Sequence, residues 1–130
     1  MTNKLRNERG QTMTEFALVL PLLVVLVLAI AQFGVAFNNY VTLTDAARAA
    51  ARKGAVSRES GDPQGDCQSA GYAAGQNLNN AGTDFVVSCS SSWSQGSDVT
   101  VTATYPYAIS LLGWVVASGN LSSTMKERVE

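Results

Sequence analysis

The chain has 130 residues, a net charge of −1, two cysteines and no histidine. Lack of histidine removes the commonest general base and metal ligand, and a mildly acidic C-terminal part argues against a nucleic-acid partner. An N-terminal tail and a long apolar run leave about ninety residues, enough for one modest domain.

Residues 1–10 form a polar, basic tail. They show no hydrophobic periodicity, so we expect them to have no structure of their own and to serve as an address or topology signal. The tail carries Lys4, Arg6, Glu8 and Arg9. Since basic residues favour the inner side, the N-terminus is predicted to be cytoplasmic and everything after about Asn38 extracytoplasmic.

An uncharged apolar run extends from Phe16 to Phe37. At about 1.5 Å per residue, a helix of this length covers about 33 Å, enough to cross a bilayer core. Pro21 lies inside the run, where it removes a backbone hydrogen bond and is expected to kink the helix. The run is therefore predicted to be a transmembrane segment.

The helical pattern continues beyond the apolar run in an alanine-rich stretch. Leu43, Ala47, Ala50 and Gly54 share one face of small residues, against which another element could pack closely. The sequence predicts one continuous helix over residues 11–55, with Gly54 suited to its C-terminal cap.

The remainder, residues 56–130, is predicted to form a small exported domain. Asp62 followed by Pro63 is typical of a helix start, and we expect this second helix to reach Gly82. The segments 85–89, 99–105 and 121–129 alternate like strands, the last at a sheet edge. The sequence thus predicts a second helix followed by a three-stranded antiparallel sheet.

Residues 107–117 form a second, shorter apolar run. Eleven residues are too few to span a membrane. They are expected to be either a core helix or loop, or a segment on the membrane surface with Trp114 at the headgroups.

Both cysteines, Cys67 and Cys89, fall in the predicted exported part. An oxidising compartment would let them pair and tie the second helix to the first strand. Two free buried thiols are the alternative.

No constellation of catalytic residues is present, so the sequence predicts neither an enzyme nor a metal or cofactor site. Glu15 is the informative polar residue, because a carboxylate taken into hydrocarbon is costly unless it is paired. The alternative is an interfacial carboxylate that stays in water.

Arg9-Gly10-Gln11-Thr-Met-Thr-Glu15-Phe16, followed by the apolar run, resembles the processing motif of type IV pilins and pseudopilins. The longer pattern resembles the TadE-like family of the Tad (tight adherence) pilus system. It adds Gln32-Phe-Gly34, Asp45-Ala-Ala-Arg48-Ala-Ala-Ala-Arg52, the Val-Thr strand ending in Tyr105-Pro106, and Met125-Lys-Glu-Arg128.

This resemblance implies an inner-membrane pseudopilin, a minor component needed for pilus assembly. A prepilin peptidase would cut between Gly10 and Gln11, and Glu15, beside Phe16, would take part in subunit assembly. Its partners would be the membrane, other pilin or pseudopilin subunits, the peptidase and the assembly platform. The expected architecture is α+β and pilin-like, with a long N-terminal helix that packs against the small domain.

Two other functions fit the same residues. Ala29-Ile-Ala31 has the small-x-small form of a signal-peptidase site, which would release a secreted domain that begins at Gln32. A membrane-anchored binding domain that never enters a pilus is the other alternative.

Overall fold

A computed structural model describes residues 3–130, with side chains described from Gly10 onward. The chain folds into two helices followed by three strands. These elements are α1 (Asn3–Val56), α2 (Pro63–Ala74), β1 (Val86–Ser90), β2 (Asp98–Leu111) and β3 (Trp114–Arg128). The predicted α+β class, with a long N-terminal helix and a three-stranded antiparallel sheet, is confirmed.

The long helix α1 is continuous over 54 residues. It ends at Val56, one residue beyond the prediction, but it already begins at Asn3. The expectation of an unstructured tail is therefore wrong from residue 3 on, because extending an existing helix avoids the cost of nucleating a new one. Residues 1–2, and the tail charges used to predict topology, lie outside the described residues and side chains.

The helix passes through Pro21 without interruption. Proline lacks the N–H that would bond to the carbonyl of Ala17 four residues earlier. The rest of the hydrogen-bond ladder is enough to carry the helix across this position, and the kink at Pro21 stays a prediction.

The second helix begins as its sequence predicts. The Asp62 side chain caps it by accepting a hydrogen bond from the Gly65 N–H at 2.9 Å, with Pro63 in the first turn. It ends at Ala74, capped by Gly75, so the prediction that it reaches Gly82 is wrong. The asparagine-rich segment 76–80 explains the early end, since asparagine side chains compete for backbone hydrogen bonds and favour turns.

The sheet has the order β1-β2-β3, with both pairs antiparallel. Strands β1 and β3 lie where strands were predicted, with β3 at an edge and extended toward its N-terminal side. Strand β2 runs well past Tyr105 and turns into β3 through Leu112 and Gly113, whose φ angles are 52° and 84°. Positive φ at both turn residues is typical of the type I′ turn that joins twisted strands.

Residues 107–117 therefore belong to a long β-hairpin, and the expected core helix or loop is wrong. Tyr107, Ile109, Val115 and Val116 are aromatic or β-branched, residue types that favour strands. The Leu112–Gly113 turn folds the segment back on itself. A register shift at Ile109 and Ser110 marks a bulge close to the turn.

The core lies where the second half of α1 packs against α2 and one face of the sheet. The predicted small-residue face is buried there, and Leu43, Ala47 and Ala50 are fully inaccessible to solvent. Gly54 does not cap the helix, because α1 continues to Val56. Gly54 instead allows close packing: a Cβ at this position would lie 3.0 Å from Cγ1 of Val99 and 3.2 Å from Sγ of Cys67.

A disulfide joins Cys67 on α2 to Cys89 on β1, so the predicted pairing is present. Both residues are buried within the core. The bond ties α2 to β1, the edge strand on the opposite side of the sheet from β3.

Candidate assembly segment

The residues predicted to be processed and to assemble lie on neighbouring turns near the start of α1. Gln11 and Glu15 are four residues apart and therefore share a helix face. The Gln11 Nε2 donates a hydrogen bond to Oε1 of Glu15 at 3.3 Å. Thr14 Oγ1 donates one to the carbonyl of Gly10 at 2.8 Å. The segment is thus an exposed helix with a single carboxylate at its apolar end.

No tertiary contact of the described residues covers the Gly10–Gln11 bond, which lies within α1. A Cβ on Gly10 would meet no atom of the described residues within 4 Å, other than those of its own helical turns. Both residues are exposed. The processing role of Gly10 and Gln11 stays a prediction.

Glu15 is exposed and borders the apolar surface that begins with Phe16, 62 % of whose side chain is exposed. Every residue from Gly10 to Val24 is exposed, including Pro21. The assembly role of Glu15 and Phe16 stays a prediction. Such a helix, apolar on all sides and uncovered by its own domain, requires lipid or other helices around it.

Among the described residues, α1 is the one helix long and apolar enough to cross a membrane. Its most apolar 18-residue window has a mean hydropathy of 2.8, and none of that window is buried inside the protein. The helix meets the length and composition needed to span a bilayer.

No group of three or more metal-ligating side chains occurs within residues 10–130, where side chains are described. The disulfide holds both cysteines, which leaves carboxylates as the remaining strong ligands. The surface features that stand out among these residues are therefore exposed apolar side chains.

One apolar feature of the surface was not predicted from the sequence. A groove of 370 Å³ separates the outer part of α1 from the β2–β3 hairpin. It is lined by Phe33, Ala36, Phe37, Tyr40, Tyr107, Ile109, Ala117 and Leu121. One sequence signal could have indicated the groove: no charged residue occurs between Asp98 and Lys126. The alternation of polar and apolar residues instead divides this run into separate segments.

Fold and segment together define a class: an α+β protein whose single N-terminal apolar helix fits single-pass membrane attachment. The model of the TadE-like protein family matches residues 10–52, which confirms the resemblance over that segment; Tyr105-Pro106 and Met125–Arg128 lie outside the match. The chain thus carries a TadE-like segment that begins at Gly10 and covers most of α1. No curated protein and no solved structure matches the chain.

Proposed function

We propose that this protein is a membrane-anchored pseudopilin that takes part in assembly of a Tad-type pilus. The observation that carries the proposal is the family match, which begins at Gly10 and includes Glu15 and the whole apolar run. The family match supports a role in a Tad pilus system, which is the coarser part of the proposal. The pseudopilin role is the finer proposal, and it depends on residues 10–16.

In this proposal a prepilin peptidase removes the basic leader by cutting between Gly10 and Gln11. The new N-terminal amine of Gln11 is a cation at neutral pH. It lies at the positive end of the shortened helix, where another cation is unfavourable unless a carboxylate compensates for it. Cleavage therefore creates a charge that requires a partner.

Glu15 supplies that partner in a neighbouring subunit. A carboxylate taken into hydrocarbon is costly, and pairing with a cation offsets much of this cost. Within one chain, Glu15 accepts only an amide hydrogen bond from Gln11, at 3.3 Å, among the contacts of the described residues. A charge-assisted bond to the amine of a neighbour would be shorter and stronger.

The proposed role is structural and not catalytic. The protein would sit in the cytoplasmic membrane with its N-terminus inside and the α+β domain outside, in line with the basic tail and the disulfide. Neighbouring pilin or pseudopilin helices would pack on the exposed surface of residues 11–24, and the assembly platform would act on the same helix.

Replacement of Glu15 tests the proposal. Glu15→Ala should insert into the membrane normally but lose most co-purification with a second, tagged copy or with the major pilin, since the amine of Gln11 loses its partner. Glu59→Ala is the matched control, because Glu59 is an exposed carboxylate outside the apolar helix and, among the described residues, pairs with the adjacent Arg58 at 3.0 Å. Unchanged assembly of Glu15→Ala in the pull-down and in a piliation assay would refute the role of Glu15.

A further inference from the structure

The tip of the β2–β3 hairpin exposes large apolar side chains. Leu112, Trp114, Val115 and Val116 are 73 %, 80 %, 65 % and 64 % exposed. Clusters of this kind mark interaction sites on soluble surfaces, since isolated apolar residues are common but contiguous ones are not. Such a tip is expected to be covered by a partner or by lipid.

The hairpin runs along α1 toward the N-terminal half of that helix. At its base, Val99 lies against Gly54, and nearer the tip Ile109 lines one groove with Phe33 and Phe37. From Gly54 to Phe37 the helix rises about 26 Å, and from Val99 to Ile109 the strand covers about 34 Å. The two lengths agree closely enough for helix and hairpin to run side by side.

The tip therefore reaches beyond the level of Phe37. Leu112 is three residues past Ile109, a further distance of about 10 Å along the strand. Phe37 ends the apolar run that α1 would place in the bilayer. On the helix, Val25, Ala29, Gln32, Ala36 and Asn39 are half-buried and continue the buried stripe that starts at Leu43. Ala36, which lines the groove with Ile109, belongs to this stripe, so at that level the stripe is the side of α1 that faces the hairpin.

Neither α1 nor the hairpin carries a charged residue where the two lie side by side near Phe37. No charged residue occurs between Glu15 and Asp45 on α1 or between Asp98 and Lys126 on the hairpin. The surrounding parts of the domain do carry charges, among them Arg48, Arg52 and Arg128. An uncharged hairpin whose tip bears an exposed tryptophan has the composition of a segment at the membrane interface, where tryptophan is enriched.

We propose that the tip of the β2–β3 hairpin inserts into the outer leaflet, with Trp114 at the boundary between headgroups and acyl chains. The inference rests on the membrane anchoring of α1 in the proposed function, but not on pilus assembly. Lipid is the favoured occupant because the tip is continuous with the lipid-facing surface of α1. Insertion is shallow, since beyond Tyr105 the hairpin is a two-stranded ribbon with open edges, and unpaired backbone groups are excluded from hydrocarbon.

The two tryptophans of the chain provide a matched pair of probes. Trp93 lies in the loop between β1 and β2, where Gly96 bonds to Val129 and the adjacent Glu130 bonds to Ala55 near the end of α1. That loop is at the opposite end of the domain from Trp114. Trp93→Phe leaves Trp114 as the sole tryptophan, and Trp114→Phe leaves Trp93.

The test uses each full-length single-tryptophan variant, reconstituted in phosphatidylcholine–phosphatidylglycerol vesicles. Lipids brominated near the carbonyl end of the acyl chain should remove about half of the Trp114 emission, with weaker quenching by lipids brominated at the chain end. Trp93 should be insensitive to both lipids. Aqueous iodide should quench Trp93 in part, because its side chain is half-buried against the core, and should leave Trp114 nearly unchanged.

Two results would overturn the proposal. One is quenching of Trp114 by iodide without quenching by either brominated lipid, which would place the tip in water. The other is protection of Trp114 that disappears when the protein is diluted to about one chain per vesicle, which would identify a second copy as the occupant. Glu15→Ala in the Trp93→Phe background should leave the quenching unchanged, so that failure of the assembly proposal is seen separately.

Discussion

Gly71 on α2 lies against Ala50 on α1 so closely that a Cβ on Gly71 would stand 3.1 Å from the Ala50 Cβ. The same Cβ would be 2.9 Å from Cγ1 of Val87 on β1. Helix α2 therefore fits between α1 and the sheet only because a glycine occupies this position. Helix propensity alone would favour alanine at position 71, so packing overrides propensity here.

Replacement of Gly71 by leucine should destabilise the domain. Overpacking a filled core costs about 1–3 kcal/mol, and each kcal/mol lowers the melting temperature of a domain this size by about 4–8 °C. Thermal unfolding followed by circular dichroism in detergent measures the effect. Gly61→Leu is the control, because a Cβ on Gly61 meets no atom of the described residues within 4 Å. Equal melting temperatures for Gly71→Leu and the wild type would contradict the packing described here.

Reduction of the disulfide should also lower stability. The bond between Cys67 and Cys89 spans a sequence separation of 22 residues, and closing a loop of that length contributes about 3 kcal/mol in the chain-entropy model. Unfolding by guanidinium with and without reductant measures the contribution. The double variant Cys67→Ala/Cys89→Ala should unfold identically in both conditions. If reductant leaves the wild type unchanged, the bond does not stabilise the domain.

Replacement of Pro21 by alanine should tighten the membrane helix. Alanine restores an N–H that can bond to the carbonyl of Ala17, and it removes the clash between the proline ring and that carbonyl. Amide hydrogen exchange in bilayer discs should become slower for residues 18–22 and stay the same around Ala31. Unaltered exchange at residues 18–22 would show that Pro21 does not weaken the helix.

The helices and strands were predictable wherever one local signal dominates. The start of α2 follows from Asp62 and Pro63, and the small-residue face of α1 follows from the spacing of Leu43, Ala47 and Ala50. Signals that depend on tertiary contacts were misread: Gly54 resembles a cap but provides close packing against Val99.

The β2–β3 hairpin was only partly predicted, for a physical reason. Its outer half lacks a clear alternation of polar and apolar residues. Ile109 is buried, but the neighbouring outward residues Pro106 and Ala108 are apolar, and so is the exposed tip. A short apolar run of this kind fits a core helix as well as a strand by periodicity. The type I′ turn at Leu112 and Gly113 decides the structure, and only Gly113 is a typical residue for it.

The candidate assembly segment was recognised from its motif and not from its structure. Gly10, Gln11 and Glu15 lie on an exposed helix, and their contacts among the described residues would suit many membrane proteins. The contacts that such a role requires form with a second subunit, so a single chain does not contain them. The family match over residues 10–52 is the observation that supports the proposed role.

The intact mass of the protein purified from its native membrane tests the central claim most directly. A pseudopilin cut between Gly10 and Gln11 should have the mass of residues 11–130, with Gln11 as the N-terminal residue on sequencing. A mass that corresponds to a start at Gln32 would instead identify a secreted domain. Either that mass or that of the chain with its basic leader still attached would contradict the proposed processing.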